Sequence, residues 1–377
     1  MADYKRLGDY IREVNVRNRE LEVTTPNGIN INKSFMPSVA NVIGTDLTTY
    51  KLVERLQFAC NLMHVGRDEK IPMAIQMEDT PIIVSPAYFV FEVIDQNVLL
   101  PLYLMMWFRR AEFDRNAWFY TDADVRGGMN KQDLLNMRLP IPPIDHQREI
   151  VAEYETLTRR IRLNERMIQK LEATAQALYH KMFVDGIDKE NLPEGWRMGT
   201  LTEIAQFLNG VACQKYATKG RNFLPVLKIR ELSQGYCDEN SDHIENDVPK
   251  DYIIDNGDVI FSWSATLFID IWCGGRCALN QHLFKVSSTK YPKWLYFLWT
   301  KKHIVEWKRL ISAKATSMGH IKREDLESAI VLIPSQKDII KMDLQFCPIY
   351  NQYELVKQEN LTLNSLLSLL LSKIGNI

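Results

Sequence analysis

The chain has 377 residues, 46% hydrophobic and 25% charged, with a formal net charge of −1. That suits two medium domains and excludes a nucleic-acid binder working through a global positive field, so any such contact must come from local basic patches. The N-terminus MADYKRLGDY lacks a secretory apolar core, and the run VLLPLYLMMWF is about half of the roughly 20 residues that span a bilayer, so a cytoplasmic protein is expected.

From Tyr4, YKRLGDYI opens a strand-rich stretch with a polar loop at Arg67, Asp68 and Lys70. FVFEV (89–93) reads as a strand entering a helix, LYLMMWFRRAEF, which carries Trp107. RGGMNKQDL follows as a polar loop, then DLLNMRLPIP (133–142) as an apolar strand ending in proline. The series then returns. GWRMGTLT, LFKV (283–286), LYFLWTKKHIVEW, MGHIKREDL and DLESAIVLIP (325–334) repeat it, with Trp299 standing 192 positions after Trp107. A period near 190 residues is far longer than the roughly 20–50 of a solenoid, so two copies imply a pseudo-twofold molecule.

Each copy ends in a long heptad pattern. Apolar residues recur at Ile150, Tyr154, Leu157, Ile161, Ile168, Leu171, Ala175, Leu178 and Met182, with Asn164 in the single gap. The second series runs Ile339, Met342, Phe346, Ile349, Tyr353, Val356, Leu363, Leu367, Leu370 and Ile374, with Asn360 in its gap. A 3.5-residue period over about five heptads predicts a coiled coil. Facing Asn164 with Asn360 makes the pair antiparallel, sets Ile150 against Ile374 and Leu171 against Tyr353, and leaves every other layer apolar. The two amides would then bond each other and fix the register. The competing arrangement packs each helix on its own domain with solvent-facing asparagines. Pro348 should kink or break the second helix. A helix from Gln147 to Phe183 would span roughly 55 Å, or about 16 base pairs of B-DNA, so two modules held by it could read separated half-sites.

The segment YIIDNGDVIFSWSATLFIDIWCGGRCALNQHLFKV (252–286) resembles the target-recognition domain of type I restriction–modification specificity subunits, as does the stretch from Gln57 to Val93. LPIPPIDHQREI (139–150) is similar to that family's strand-to-helix junction, with His146-Gln147 where Glu-Gln is usual; VLIPSQKDII is a shorter version without the second proline. The resemblance covers nearly the whole chain. It implies an α+β fold of two tandem, pseudo-twofold-related α/β target-recognition domains, residues 1–143 and 185–335, separated by an antiparallel pair of long coiled-coil helices, residues 144–184 and 336–377. It also implies a non-catalytic subunit that binds double-stranded DNA and two methyltransferase subunits, with restriction–motor subunits joining through them and no membrane contact. S-adenosylmethionine, ATP and Mg would then sit on the partners, and no cofactor on this chain. The absence of a G-x-x-x-x-G-K-[ST] loop and of an NPPY-like tetrapeptide agrees with that.

Phosphate contacts need Lys, Arg or backbone amides, and base readout needs amide or guanidinium edges. The first copy offers Arg67 and Lys70 in one loop, and Arg126, Asn130 and Lys131 beside Gly127-Gly128 in another. The second offers Lys314, Thr316, Ser317, His320 and Lys322 in the matching loop, with Lys215, Tyr216, Lys219 and Arg221 elsewhere. The matching loops either position the DNA backbone or simply cap the next element as solvated turns. Lys228 and Arg230 alternate with apolar neighbours in PVLKIREL, as on one face of a strand, whether DNA-facing or merely wet.

Ser262, Ser264, Gln281 and His282 suggest a Ser–His hydrolase, but no G-x-S-x-G surrounds either serine, and the resemblance makes these segments recognition-domain scaffold. Cys273 and Cys277 in CGGRC could take a metal with His243 or His282, yet the spacing is unlike C-x2-C and the two glycines read as a tight turn. A coiled-coil scaffold that holds proteins without reading DNA is the alternative function.

Overall fold

The computed structural model of the chain describes residues 4–38, 44–63, 65–121, 127–185, 187–216, 223–313 and 320–376. Two compact units emerge, residues 1–159 with 364–377 and residues 160–363.

In the first unit, β1 (Tyr4–Arg6), β2 (Ile11–Glu13), β3 (Pro26–Ile29), β4 (Phe35–Pro37), β5 (Lys51–Val53) and β6 (Phe58–Cys60) precede a short helix, α1 (Val65–Asp68). Next come β7 (Met73–Ile75), β8 (Ile82–Val84), β9 (Phe89–Val93), α2 (Pro101–Phe108), α3 (Ala111–Phe119), α4 (Lys131–Asn136), β10 (Arg138–Pro140) and the 40-residue α5 (Ile144–Phe183). Two four-stranded sheets form, in the orders β2-β9-β6-β7 and β4-β3-β8-β5, and β1 pairs antiparallel with β10. β9 is central and covered on both faces, which is why FVFEV is a nearly continuous apolar run. Against it lies α2, which begins on Pro101 and buries seven of its eight residues. Phe58, Phe91 and Phe108 pack together there, the first two stacked at 4.9 Å. A buried ion pair sits inside this unit. Lys33, in the β3–β4 turn, pairs with Asp114 of α3 at 2.7 Å, and Asp114 also accepts the Ile71 amide. Burial pulls the Lys33 pKa down, and the Asp114 carboxylate opposes the shift.

The second unit repeats the plan. It runs β11 (Arg197–Thr200), α6 (Leu201–Ile204), β12 (Gln206–Asn209), β13 (Phe223–Leu227), α7 (Ile229–Gln234), β14 (His243–Glu245), β15 (Ile253–Ile254) and β16 (Val259–Ser262). β17 (Phe268–Ile271), β18 (Cys277–Leu279), β19 (Leu283–Ser287), α8 (Lys293–Ala313), α9 (Arg323–Glu327), β20 (Ile330–Ile333) and α10 (Gln336–Lys373) complete it. The sheets are β12-β19-β16-β17 and β14-β13-β18-β15, with β11 paired to β20 as β1 is to β10. Trp294 stacks on Phe346 at 4.4 Å and its indole N–H donates to Asp343, so α8 and α10 share one core.

The long helices divide their apolar faces between the units. α5 gives Ile150, Val151 and Tyr154 to the first core and Tyr179 and Phe183 to the second. α10 does the reverse, with Met342 and Phe346 in the second core and Ile374 in the first. Within the second unit the helices run antiparallel: Arg160 meets Glu359, the Gln352 amide reaches Met167, and Leu171 and Tyr353 line one crevice, as the heptads predicted. Within the first unit Leu157 lies by Leu366 and Leu370.

Two expectations about the seam need correcting. Asn164 is fully buried, but its Nδ2 donates to Glu359 Oε2 at 2.9 Å, where the pattern had set Asn360 as the partner. Arg160 neutralises that carboxylate with two bonds of 2.8 and 3.0 Å, so a charged acceptor can sit at the edge of an apolar seam. The Arg160 guanidinium first, and then the Asn164 amide, hold the Glu359 pKa down. Pro348 does not end α10, which continues as helix through it. Pro348 and Leu344, whose carbonyl loses its helical partner, are both exposed, so the proline sits on the solvent side of the helix, where an orphaned carbonyl is least costly.

The junction into α5 is built around Gln147, which is fully buried. Its Oε1 accepts the Leu100 amide at 2.9 Å, and its Nε2 donates to Val98 and Pro142 carbonyls at 2.8 Å each. That glutamine therefore ties the start of the helix to the entry of α2.

Candidate nucleic-acid interface

In the first unit the two predicted loops are brought together. The Gly66 amide donates to the Gly127 carbonyl at 2.8 Å, and a Cβ on Gly66 would lie 2.8 Å from the Gly127 Cα. Gly127 also has φ +57, so only glycine allows this crossing. Two residues on, the Met129 amide donates to Leu62, fastening the loop before α4 to the turn after β6. Arg67 lies on α1 and is forked onto Asp68 at 2.7 and 3.1 Å, while Lys70 is exposed. Asn130 is the N-cap of α4, accepting the Gln132 amide at 2.9 Å. Lys131 binds Glu13 of β2 and lies 4.8 Å from the Phe89 ring centroid.

The second unit makes the same fastening. The Ile321 amide donates to Trp263, so the loop before α9 is held to the turn after β16. His320 forms a β-bridge with Ser264, and Lys322 is the exposed N-cap of α9. Lys215 is exposed beside half-buried Tyr216, which packs on Val226 and Ile244. Arg126, Lys219, Arg221, Lys314, Thr316 and Ser317 lie outside the described residues.

Lys228 and Arg230 do not lie on a strand: β13 ends at Leu227, and Arg230 is in α7. The reason is local. Lys228 sits at the N-cap, and Glu231 accepts its backbone amide at 3.2 Å, which starts a helix. The Arg230 guanidinium is committed to Glu231 and Asp238, and it holds the Asp238 carboxyl down to about 2.

Sequence reasoning weighed Gln281, His282 and His320 separately and did not bring them together with Asn209 around Trp263. Its indole N–H donates to Asn209 at 3.2 Å, and its ring centroid lies 6.0 Å from that of His282 and 5.8 Å from that of His320. A groove of about 610 Å3 opens beside it, lined by Phe207, Asn209, Phe284, Ile321 and Arg323. No local signal joins Asn209 to Trp263, since sheet pairing alone brings them together.

Ser262 and Ser264 are buried, and Ser262 Oγ donates to the Ser264 carbonyl at 3.4 Å, so neither is presented to a histidine as a nucleophile. Among the described residues no three His, Cys, Asp or Glu side chains converge as a metal site, and no helix is long and apolar enough to cross a membrane.

The sequence matches the type I restriction modification DNA specificity domain twice, over residues 70–173 and 193–364. The chain belongs to that family. Its members act as specificity subunits, a non-catalytic role. A similar protein is the type I restriction enzyme MjaIX specificity subunit of Methanocaldococcus jannaschii, 22% identical over 279 residues, which is 67% of this chain and 64% of that relative. Its matched span is thus just under two thirds of the relative's length. Among solved structures, the type I restriction–modification S subunit of M. genitalium superposes with a TM-score of 0.59 at 11% identity, covering 100% of this chain and 96% of that one. That likeness supports the fold: two α+β specificity domains and a pair of long antiparallel helices. The HsdS subunit of Thermoanaerobacter tengcongensis aligns over 99% of this chain and 96% of its own, at 18% identity and a TM-score of 0.37.

Proposed function

We propose that this specificity-family chain reads a bipartite DNA target, each recognition domain (residues 1–143 and 185–335) taking one half-site, and docks two methyltransferase subunits. Restriction–motor subunits join through them. The chemistry stays with those partners, which bind S-adenosylmethionine, ATP and Mg, and this chain holds none. The long helices act as a spacer that sets the unread gap.

The observation that carries this reading is a shared frame bearing unlike surfaces. Both units fasten the loop before a short helix to the turn after a central strand, through Met129 to Leu62 and Ile321 to Trp263. Around that common bond the side chains differ, as two half-sites of different sequence require. The test is to co-express the chain with its methyltransferase subunits and map methylated motifs after exchanging residues 195–330 for those of another family member. One half-site should change and the other persist. An unaltered motif overturns the reading, and a complex selecting no sequence leaves the protein-holding scaffold as the answer.

A further inference from the structure

The second unit gathers four polar, hydrogen-bonding side chains around one indole. Asn209 ends β12, Trp263 follows β16, Gln281 and His282 form the β18–β19 turn, and His320 comes from the loop before α9. Their positions are set by backbone fit. Gly210 brings β12 against that turn so closely that a Cβ would fall 2.2 Å from the Asn280 carbonyl oxygen. Asn280 is itself buried, donates to Cys213 Sγ at 3.5 Å and accepts the His282 amide at 3.2 Å. The Gln281 amide donates to the Val211 carbonyl at 2.9 Å. The backbone beneath the cluster is therefore fixed while its tips stay open: Asn209, His282 and His320 are exposed, and Gln281 is half-buried with Nε2 3.5 Å from His282 Nε2.

Several chemistries can be set aside on what surrounds these groups. The nearby serines are buried, and Ser262 is bonded to backbone, which removes a nucleophile. No metal-type grouping occurs here among the described residues. What remains is a set of donors and acceptors on a rigid floor, the requirement for matching base edges. Amide side chains can pair with the N6 and N7 positions of adenine, and imidazole can donate to a purine acceptor or accept from an amine. Flanking cations are in place. Lys322 is exposed, and the Arg323 side chain, 90% exposed, pairs with Glu327 one turn along α9. Such side chains reach phosphates without reading sequence.

The first unit lacks this arrangement. Strand register equates Glu13 with Phe207 and Phe89 with Phe284, because Glu13 faces Phe91 and Phe58 as Phe207 faces Val286 and Val259. There Lys131 ties Glu13 and Phe89 together, and Leu62 stands where the second unit has Trp263.

We propose that Asn209, Gln281, His282 and His320, held around Trp263, form the base-reading edge of the second domain, contacting purine edges of duplex DNA. This rests on the reading that the chain recognises DNA, and it assigns the residues that do so in one half-site. The experiment uses the full chain assembled with its methyltransferase subunits. Asn209→Ala, Gln281→Ala and His282→Ala are compared with wild type by methylated-motif sequencing, by binding to duplexes of the wild-type motif and of random sequence, and by thermal unfolding.

Each variant should relax one or two positions of a single half-site and weaken specific binding about 10- to 100-fold, with random-sequence binding and melting unchanged. Lys322→Ala and Arg323→Ala should instead weaken binding to every duplex and lower the salt slope by about one each. If the three cluster variants keep the wild-type motif and affinity, the assignment is wrong while DNA reading stands. If the wild-type complex itself selects no sequence, DNA reading fails and takes the assignment with it. Because Gln281 and His282 are on the surface of a turn whose backbone Asn280 secures, a melting change in Asn209→Ala alone leaves the other two to decide.

Discussion

At one equivalent position the two units treat a cation differently. Lys131 opens α4, and Arg323, 192 residues later, opens α9. In the first unit the cation folds back onto Glu13 and the Phe89 ring. In the second, β12 carries Phe207 where β2 carries Glu13, the cation turns along its own helix to Glu327, and a groove of about 610 Å3 stays open. Both units keep the cation on Trp beneath: Arg110 lies 4.4 Å from the Trp107 ring centroid and Lys302 lies 4.9 Å from that of Trp299. Contacts that hold the fold are thus duplicated, while those at the proposed recognition edge diverge. A pair of modules with one frame and two surfaces can change what it reads without changing how it folds.

The strongest way to break the likeness is inside the first unit. Asp114 sits at the α3 position equivalent to Glu306 of α8, but only Asp114 is buried with a lysine. Asp114→Ala would leave the buried Lys33 ammonium with the Phe108 carbonyl but no counter-charge, and removing one partner of a buried pair costs roughly 3–5 kcal/mol. Glu306→Ala, at a half-exposed site, should cost under about 1 kcal/mol. Denaturant unfolding of both variants checks this. Equal losses would mean that the two units are stabilised alike and that the ion pair is not particular to the first.

Much of this frame was legible in the sequence, because its causes are periodic. The 192-residue repeat placed β10 opposite β20 and α2 opposite the start of α8, and the heptads gave both long helices and the Leu171–Tyr353 layer. What escaped depends on neighbours distant in sequence. Heptad spacing could mark Asn164 as a buried amide, but not that Arg160 would let Glu359 become its acceptor. PVLKIREL alternates like a strand, yet Glu231 bonding the Lys228 amide and Asp238 bonding Arg230 turn it into a helix. Of the candidate contact residues, Asn130 and Lys131 already serve as a cap and an ion pair. Gln281, His282 and His320 stood out in the sequence separately and for other roles, and nothing there joined them to Asn209 around Trp263, since strand pairing assembles the cluster from four segments.

A second difference concerns the seam between the helices. In the first unit it sets Leu157 beside Leu366 and Leu370. In the second it contains Asn164, whose Oδ1 is buried and has no hydrogen-bond partner among the described residues. An unmade bond of that kind costs about 1–3 kcal/mol, while the bond from Nδ2 is partly replaceable because Arg160 keeps both Glu359 oxygens occupied. Asn164→Leu should therefore raise stability by about 1–2 kcal/mol and make the second seam resemble the first. A lower melting temperature would show instead that the amide supports the helix pair and that the unlike seam is what stabilises it.

The smallest expected effect sharpens the opening comparison most directly. Lys131→Ala removes an ion pair whose partners are both about half exposed, together with one cation–ring contact. Exposed examples of each contribute a few tenths to 1 kcal/mol, so a loss near 1 kcal/mol is expected in the first unit. Arg323→Ala removes only a same-helix pair, for which about 0.3–0.5 kcal/mol is the scale, and salt should erase most of that. The order matters more than either value, because a cation spent on its own fold shows itself in unfolding and a cation left open shows itself in binding. If Arg323→Ala destabilised as much as Lys131→Ala, with no change in affinity for duplex DNA, the two cations would be doing one structural job. The divergence at this position would then say nothing about recognition.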